Sequence, residues 1–341
     1  MSLPFRDILL KLSHRNDLSR AEARAAFEHI MSGAASEAHI AGLLVGLSAK
    51  GPTLDEIVGA ASVMRERAIS ISCDDISGVV LDTCGTGGDV KGTFNISTVA
   101  AIIVAAAGVK VVKHGNRSAS GNTGSADVLE YLGVKLDCSP ERMRSTLDRA
   151  NICFAFARNH HPAMKHVAAV RSALGIPTIF NLLGPLTNPA RARHQVMGVF
   201  AAEWTEPLAL ALGELGSERA WVVHADDGLD ELSTLGPTRI SELRDGQVTT
   251  WRFDPATVGL ERALLADLQV PSIEAAAGAI HEVLNGGGGV RRDIATLNAA
   301  AGLVIAGNSV DIRDGLTKAA EAIDSGRARE TLQELIQSSQ Q

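Results

Sequence analysis

From residue 77 onward the chain alternates short apolar runs of strand length with longer runs of helical length, and no other feature limits its fold so tightly. Residues 79–81, 110–113, 134–136 and 152–156 have strand character. Residues 96–107, 125–132 and 140–150 between them have helical character. Parallel neighbours need a long crossover, usually a helix, so this order predicts consecutive βαβ units on a mostly parallel sheet, an α/β class. Residues 196–200 and 221–223 add two strands around a helix near 207–215. Residues 239–243 and 248–253, joined by Arg244-Asp245-Gly246-Gln247, read as an antiparallel pair. The C-terminal part returns to helix at 273–284, 294–306 and 312–323.

The first 70 residues follow a different rule. Ser19 is an expected N-cap with Glu22 in the capping-box position, Ser36 precedes a helix over 37–50, and Gly51-Pro52 ends it. Thr53 then caps a helix through Arg67. Several amphipathic helices without a strand make a small helical domain or an oligomer surface, placed here at 1–72. The larger α/β domain is expected over 73–160 and 189–341.

At 341 residues, with 45% apolar and 21% charged residues, the chain has an ordinary globular composition. Aromatics are only 4%, with Tyr131 the single tyrosine, so no stacking platform for single-stranded nucleic acid is visible. A net charge of −7 argues against a general polyanion binder, so an anionic substrate needs a local positive site. The longest apolar run, 99–109, is short of the ~20 residues of a membrane span, and the N-terminus has no signal-peptide core. Cys73, Cys84, Cys138 and Cys153 are widely spaced, which suits free thiols in a reducing compartment. The expected location is cytoplasmic.

Between the first strand and the first crossover helix lies Gly85-Thr86-Gly87-Gly88-Asp89, followed by Asn95-Ile96-Ser97-Thr98. Glycines let backbone N–H groups converge on an anion, and a helix start adds free donors. The turn is neither a Walker loop nor a dinucleotide fingerprint. One βαβ step later, the loop from Lys113 to Ser125 supplies two cations, small hydroxyls and glycines, a mixture that suits a sugar phosphate. After the strand near 221 come Asp230 and Glu231. A carboxylate pair facing a phosphate pocket calls for a divalent cation such as Mg2+; the alternative is a surface acidic turn. These loops should meet beyond the carboxyl ends of the strands. Arg171, on a helix after His160-His161-Pro162, is a candidate carboxylate ligand or a surface arginine. The spacing of the ten histidines does not predict a zinc site, and nothing pairs Cys84 with a base.

Taken together, these motifs, with Gly124-Ser125-Ala126-Asp127, His161-Pro162-Ala163-Met164, Phe180-Asn181-Leu182-Leu183-Gly184-Pro185-Leu186-Thr187-Asn188-Pro189 and Asp227-Gly228-Leu229-Asp230-Glu231, closely resemble the anthranilate phosphoribosyltransferase family, in its order, over about residues 38 to 307. The resemblance implies the nucleoside phosphorylase-like phosphoribosyltransferase fold, with residues 161–188 packed into the helical domain and a homodimer joined through it. It implies transfer of phosphoribose from phosphoribosyl pyrophosphate to anthranilate, in tryptophan biosynthesis. Gly85, Gly88, Asp89, Thr93, Asn95, Ile96, Ser97 and Thr98 would hold the pyrophosphate side. Lys113, His114, Gly115, Asn116, Arg117, Ser118, Ala119, Ser120, Gly121 and Ser125 would wrap the phosphoribosyl part. Gly85, Asn116 and Arg171 would line the anthranilate site, and Ser97, Asp230 and Glu231 would take two Mg2+ ions. No side chain acts as nucleophile. The chain departs from the family pattern at Pro52, Asn122-Thr123, His160 and Pro177. The rival readings are a pyrimidine nucleoside phosphorylase of the same fold and a non-catalytic, nucleic-acid-binding relative.

Overall fold

The computed structural model describes residues 5–118 and 123–341. Its centre is a seven-stranded sheet of β1 (Val80–Asp82), β2 (Lys110–Gly115), β3 (Ile152–Phe156), β4 (His194–Gly198), β5 (Arg219–Ala225), β6 (Thr238–Arg244) and β7 (Gln247–Phe253), in the order β3-β2-β1-β4-β5-β6-β7. The first five strands run parallel, and β6 and β7 close the edge antiparallel. β1 therefore has β2 on one side and β4 on the other. Strand order reverses there, and the crevice beyond its carboxyl end is where such sheets bind ligands.

The two faces of the sheet are buried differently. On one, helix Ile96–Ala106, buried along nearly its whole length, packs against helix Val290–Ile305 and its C-terminal neighbours. On the other, Met197, Val199, Ala220, Val222 and helix Thr205–Glu214 share a core with the N-terminal helices. Val167, Val170, Ile179, Phe180, Leu182, Leu183 and Leu186 join that same cluster. The burial is mostly of Leu, Ile and Val side chains, each contributing roughly 1.5–3 kcal/mol.

The N-terminal helices form where their caps stand. Ser19 and Glu22 make a reciprocal capping box before Arg20–Met31, Ser36 caps Glu37–Lys50, and Thr53 with Glu56 caps Leu54–Arg67. Glu56 is fully buried, yet satisfied: it accepts from the N–H groups of Leu18 (2.8 Å) and Thr53 (2.7 Å) and pairs with Lys50 (2.9 Å). Arg65 ties this bundle to the rest of the chain, donating to the carbonyls of Leu186 and Leu215, both at 2.6 Å. The chain leaves the bundle through a laced stretch. Ile69 N–H donates to the His160 carbonyl (2.8 Å), the His160 ring nitrogen Nδ1 meets the Ile69 carbonyl (2.6 Å), and Ile71 N–H donates to the Pro189 carbonyl (3.1 Å).

One strand expectation fails. Residues 134–136 are not a strand, and β3 is the edge of the sheet. The segment is tied instead to Leu129, to Asn159 and, with the neighbouring Gly133, to the C-terminal helix Arg327–Gln340, which the sequence pattern did not reveal. Lys135 N–H donates to Ser339 Oγ (3.0 Å), and Gln340 Nε2 donates to the Gly133 carbonyl (2.8 Å). Among the described residues, no helix is long and apolar enough to cross a membrane.

Candidate active site

Three loops meet at the carboxyl ends of β1, β2 and β5, and backbone crowding fixes how closely. The turn after β1 lies against the end of β4: Thr86 N–H donates to the Gly198 carbonyl (2.8 Å), and Phe200 N–H donates to Thr86 Oγ1 (3.1 Å). A Cβ on Gly85 would sit 2.7 Å from the Gly198 carbonyl oxygen, and one on Gly198 would sit 1.5 Å from the Asp230 carbonyl oxygen. Only hydrogen fits at either place. Gly87, Gly88 and Gly92 take positive φ, as does Val90 at 55°, where a β-branched residue is strained. Thr93 bridges to Gln269, and Phe94 N–H donates to the Leu268 carbonyl, so the far end of this long turn is pinned.

At the helix start, Ser97 N–H donates to Glu231 Oε1 at 3.0 Å. That bond spans 134 residues of sequence and sets the acidic turn beside the glycine turn. Lys113, buried, directs Nζ to the Thr83 carbonyl (3.3 Å), Thr83 Oγ1 (3.1 Å) and Ser97 Oγ (3.3 Å). Asn95 does not cap the helix with its side chain; it exchanges two hydrogen bonds with Thr123 and so holds the second loop to the first. Ile96 is in the core and can offer only its backbone, while Thr98 is buried with an unpartnered hydroxyl.

Burial, together with repulsion from Asp89 and Glu231, pushes the Asp230 carboxyl well above its ordinary value. Glu231 is pushed the same way by burial and by Asp89, against the pull of Lys113 and Ser97. Carboxylates crowded this way, with a serine hydroxyl alongside, suit a hard divalent cation that keeps some waters and phosphate oxygens as ligands.

The second loop is less completely gathered. Gly115 leaves no room for a Cβ, which would meet Ser125 Oγ at 2.2 Å, and Ser125 Oγ donates to the Asn116 carbonyl (3.4 Å). Asn116 Oδ1 accepts from Arg117 N–H (2.8 Å), and among the described residues its amide nitrogen makes no hydrogen bond. Arg117 turns outward to Asp127 (2.9 Å) and Glu130 (2.8 Å), so its charge is already paired. Ser118 N–H donates to Asp127 Oδ2 (3.0 Å). Ala119, Ser120 and Gly121 lie outside the described residues. His114 is buried, with its ring 5.3 Å from that of His161.

Arg171 stands apart, on helix Lys165–Leu174. Its guanidinium lies 5.1 Å from the centre of the Phe180 ring, half-buried, and burial lowers its pKa. Among the described residues no carboxylate is paired with it. Gly198 and Thr83 carry no motif that marks them in the sequence. Gly198 ends a strand that is far along the chain from both loops it spaces, so no local pattern marks it.

Two family models cover the chain: the glycosyl transferase family helical bundle domain over residues 6–68 and the glycosyl transferase family a/b domain over residues 77–329. The chain is 49% identical over 332 residues to the anthranilate phosphoribosyltransferase of Parvibaculum lavamentivorans, spanning 97% of this chain and 96% of that one. It belongs to the anthranilate phosphoribosyltransferase family. The Rhodospirillum rubrum member is 53% identical over 319 residues, covering 94% of this chain and 91% of its own. Among solved structures, the anthranilate phosphoribosyltransferase of Thermus thermophilus superposes with a TM-score of 0.92 at 42% identity, covering 98% of this chain and all of that one. The Saccharomyces cerevisiae enzyme, solved in complex with PRPP and Mg, superposes with a TM-score of 0.88 at 27% identity, covering 98% of each chain.

Proposed function

We propose that this chain transfers the phosphoribosyl group of phosphoribosyl pyrophosphate to the amine of anthranilate, releasing pyrophosphate, as a step of tryptophan biosynthesis. The observation that carries the reading is the 3.0 Å bond from Ser97 N–H to Glu231 Oε1, which sets the paired carboxylates against a glycine turn fit for a diphosphate. A nucleoside phosphorylase acting with free phosphate has no evident use for that pair.

The amine is itself the nucleophile, so the protein has to hold two substrates in line and stabilise charge on the departing oxygens. The turn over Gly85, Gly88 and Asp89 and the helix start at Asn95, Ser97 and Thr98 would receive the pyrophosphate. Lys113 adds a buried cation there. The loop from His114 to Ser125 would wrap the ribose phosphate. Ser97, Asp230 and Glu231 would hold Mg2+, in two sites, and bound Mg2+ neutralises the leaving group. Gly85, Asn116 and Arg171 would line the acceptor site, with the unpaired guanidinium of Arg171 gripping the carboxylate of anthranilate.

Residues 1–72 with 161–188 would act as one helical body and residues 73–160 with 189–341 as the other, with dimerisation through the helical body. The test is loss of anthranilate fluorescence with purified protein, Mg2+ and phosphoribosyl pyrophosphate, each left out in turn. Turnover that persists without Mg2+, or none with all components present, refutes the reading.

A further inference from the structure

Behind the glycine turn lies a side-chain cluster, Asp82, Cys84 and His114, of which the proposed transfer enlists only His114, at the root of the ribose-phosphate loop. Asp82 ends β1, and Cys84 follows two residues later, its N–H turned back to Asp82 Oδ1. His114 comes from the neighbouring strand β2, which pairs with β1, and its N–H donates to the same Asp82 oxygen. One ligand atom from each of Asp82, Cys84 and His114 lies within 4.8 Å of the others, the one such group of three among the described residues.

The Cys84 thiol donates to the Gly85 carbonyl (3.5 Å), but polar atoms of Asp82 and His114 are short of partners. Asp82 is fully buried; Oδ1 accepts from the N–H groups of Cys84 and His114, both at 3.0 Å, while Oδ2 has no hydrogen bond. His114 is 2% exposed, and neither ring nitrogen is hydrogen-bonded. The Asn188 amide and the Gly184 carbonyl approach these groups without completing those bonds. His161, its ring 5.3 Å from that of His114, also buries an unpartnered Nε2. Lys113 does not compete for the carboxylate by contact, since its Nζ is spent on Thr83 and Ser97. Buried polar atoms left this way are destabilising until something satisfies them.

We propose that Asp82, Cys84 and His114 form a binding site for a borderline divalent ion of the zinc class, separate from the oxygen-lined Mg2+ site at Asp230 and Glu231. One carboxylate oxygen, one sulfur and one imidazole nitrogen make a donor set that zinc accepts and magnesium does not. Binding releases the Cys84 thiol proton to solvent, so the ion's two charges are matched by the thiolate and the Asp82 carboxylate, with His114 neutral. Gly85 and Asn116 follow Cys84 and His114 by one and two residues. An ion there grips the roots of both loops, and Zn2+ inhibits transfer in a way that added Mg2+ does not relieve. The histidine spacing alone did not show this, because the ligands come from two strands.

The site is tested on the whole protein by binding, apart from activity. Chelator-stripped protein is titrated with Zn2+, and with Co2+ as a spectroscopic probe, in excess Mg2+. The expected result is one ion per chain and a thiolate-to-cobalt charge-transfer band. In Cys84→Ser the band is lost and Zn2+ binding weakens by about 100-fold or more, since even an outer partner's loss costs up to that. The Asp230→Asn, Glu231→Gln double variant keeps both. No stoichiometric binding, a band that survives Cys84→Ser, or loss of binding in the double variant overturns the proposal. Zinc-edge anomalous diffraction from wild-type crystals decides it however the variants fold: a peak between β1 and β2 supports the site, and a peak elsewhere removes it.

Discussion

Replacing Gly198 by alanine should disable the site without touching any residue proposed to hold a substrate. The new methyl carbon would start 1.5 Å from the Asp230 carbonyl oxygen, where an ordinary contact begins at 3.4 Å. The difference, 3.4 minus 1.5, is about 2 Å that the Asp230-Glu231 turn must yield, because the strand carrying Gly198 is held on both sides by β1 and β5. Ser97 N–H then loses its 3.0 Å bond to Glu231, and the Thr86 contact to the Gly198 carbonyl is strained. Forcing a methyl into such packing costs about 1–3 kcal/mol of stability. Displacing a positioned group by even ~1 Å can cost ~100-fold in rate, so kcat should fall at least that far. The assay is anthranilate fluorescence under saturating substrates and Mg2+, with a thermal melt alongside. The control is Gly278→Ala, in the exposed interior of helix Ile273–Leu284, where a Cβ meets nothing within 4 Å. It should gain roughly 0.5–1 kcal/mol and keep full rate. A Gly198→Ala protein with wild-type kcat and melting temperature would falsify the crowding argument.

Arg171→Ala should raise the KM for anthranilate far more than that for phosphoribosyl pyrophosphate; equal rises in steady-state titrations would remove Arg171 from the acceptor site. The Asp230→Asn, Glu231→Gln variant should lose turnover together with Mg2+ binding, measured by calorimetry; full turnover discards the carboxylate assignment. The same pair predicts a pH effect. Both folded-state pKa values are raised, so their contribution to stability is present below the ordinary carboxylate range and is lost as pH rises through the folded value, about 7 for Glu231. Mg2+ should therefore raise the melting temperature more at pH 8 than at pH 5, and this difference should vanish in the double variant. An equal Mg2+ effect at both pH values contradicts the reasoning.

Much of the fold could be read locally. Ser19, Ser36 and Thr53 announce their helices because a cap is a bond between near neighbours. The helix Pro140–Ala150 likewise has Ser139 before it and a proline at its first turn. The error at 134–136 has a nonlocal cause. Its alternation suits a strand, but its backbone is satisfied piecemeal, by Leu129, Cys138 and Asn159 nearby and by Ser339 some two hundred residues later. The site divides in the same way. The glycine turn and the acidic pair were visible as motifs, whereas Gly198, which spaces them, and the gathering of Asp82, Cys84 and His114 exist only once β1 has neighbours. Arg117, cationic in sequence, is spent on Asp127 and Glu130, a partnership no motif announces.

The lacing of Ile69 to His160 and of Ile71 to Pro189 gives the connection between bundle and sheet the character of a sewn seam, not a tether. The covalent strand that leaves the bundle is stitched to the segment that returns to it. Any shift of the bundle against the sheet therefore has to break or carry along these three hydrogen bonds as well as the covalent link.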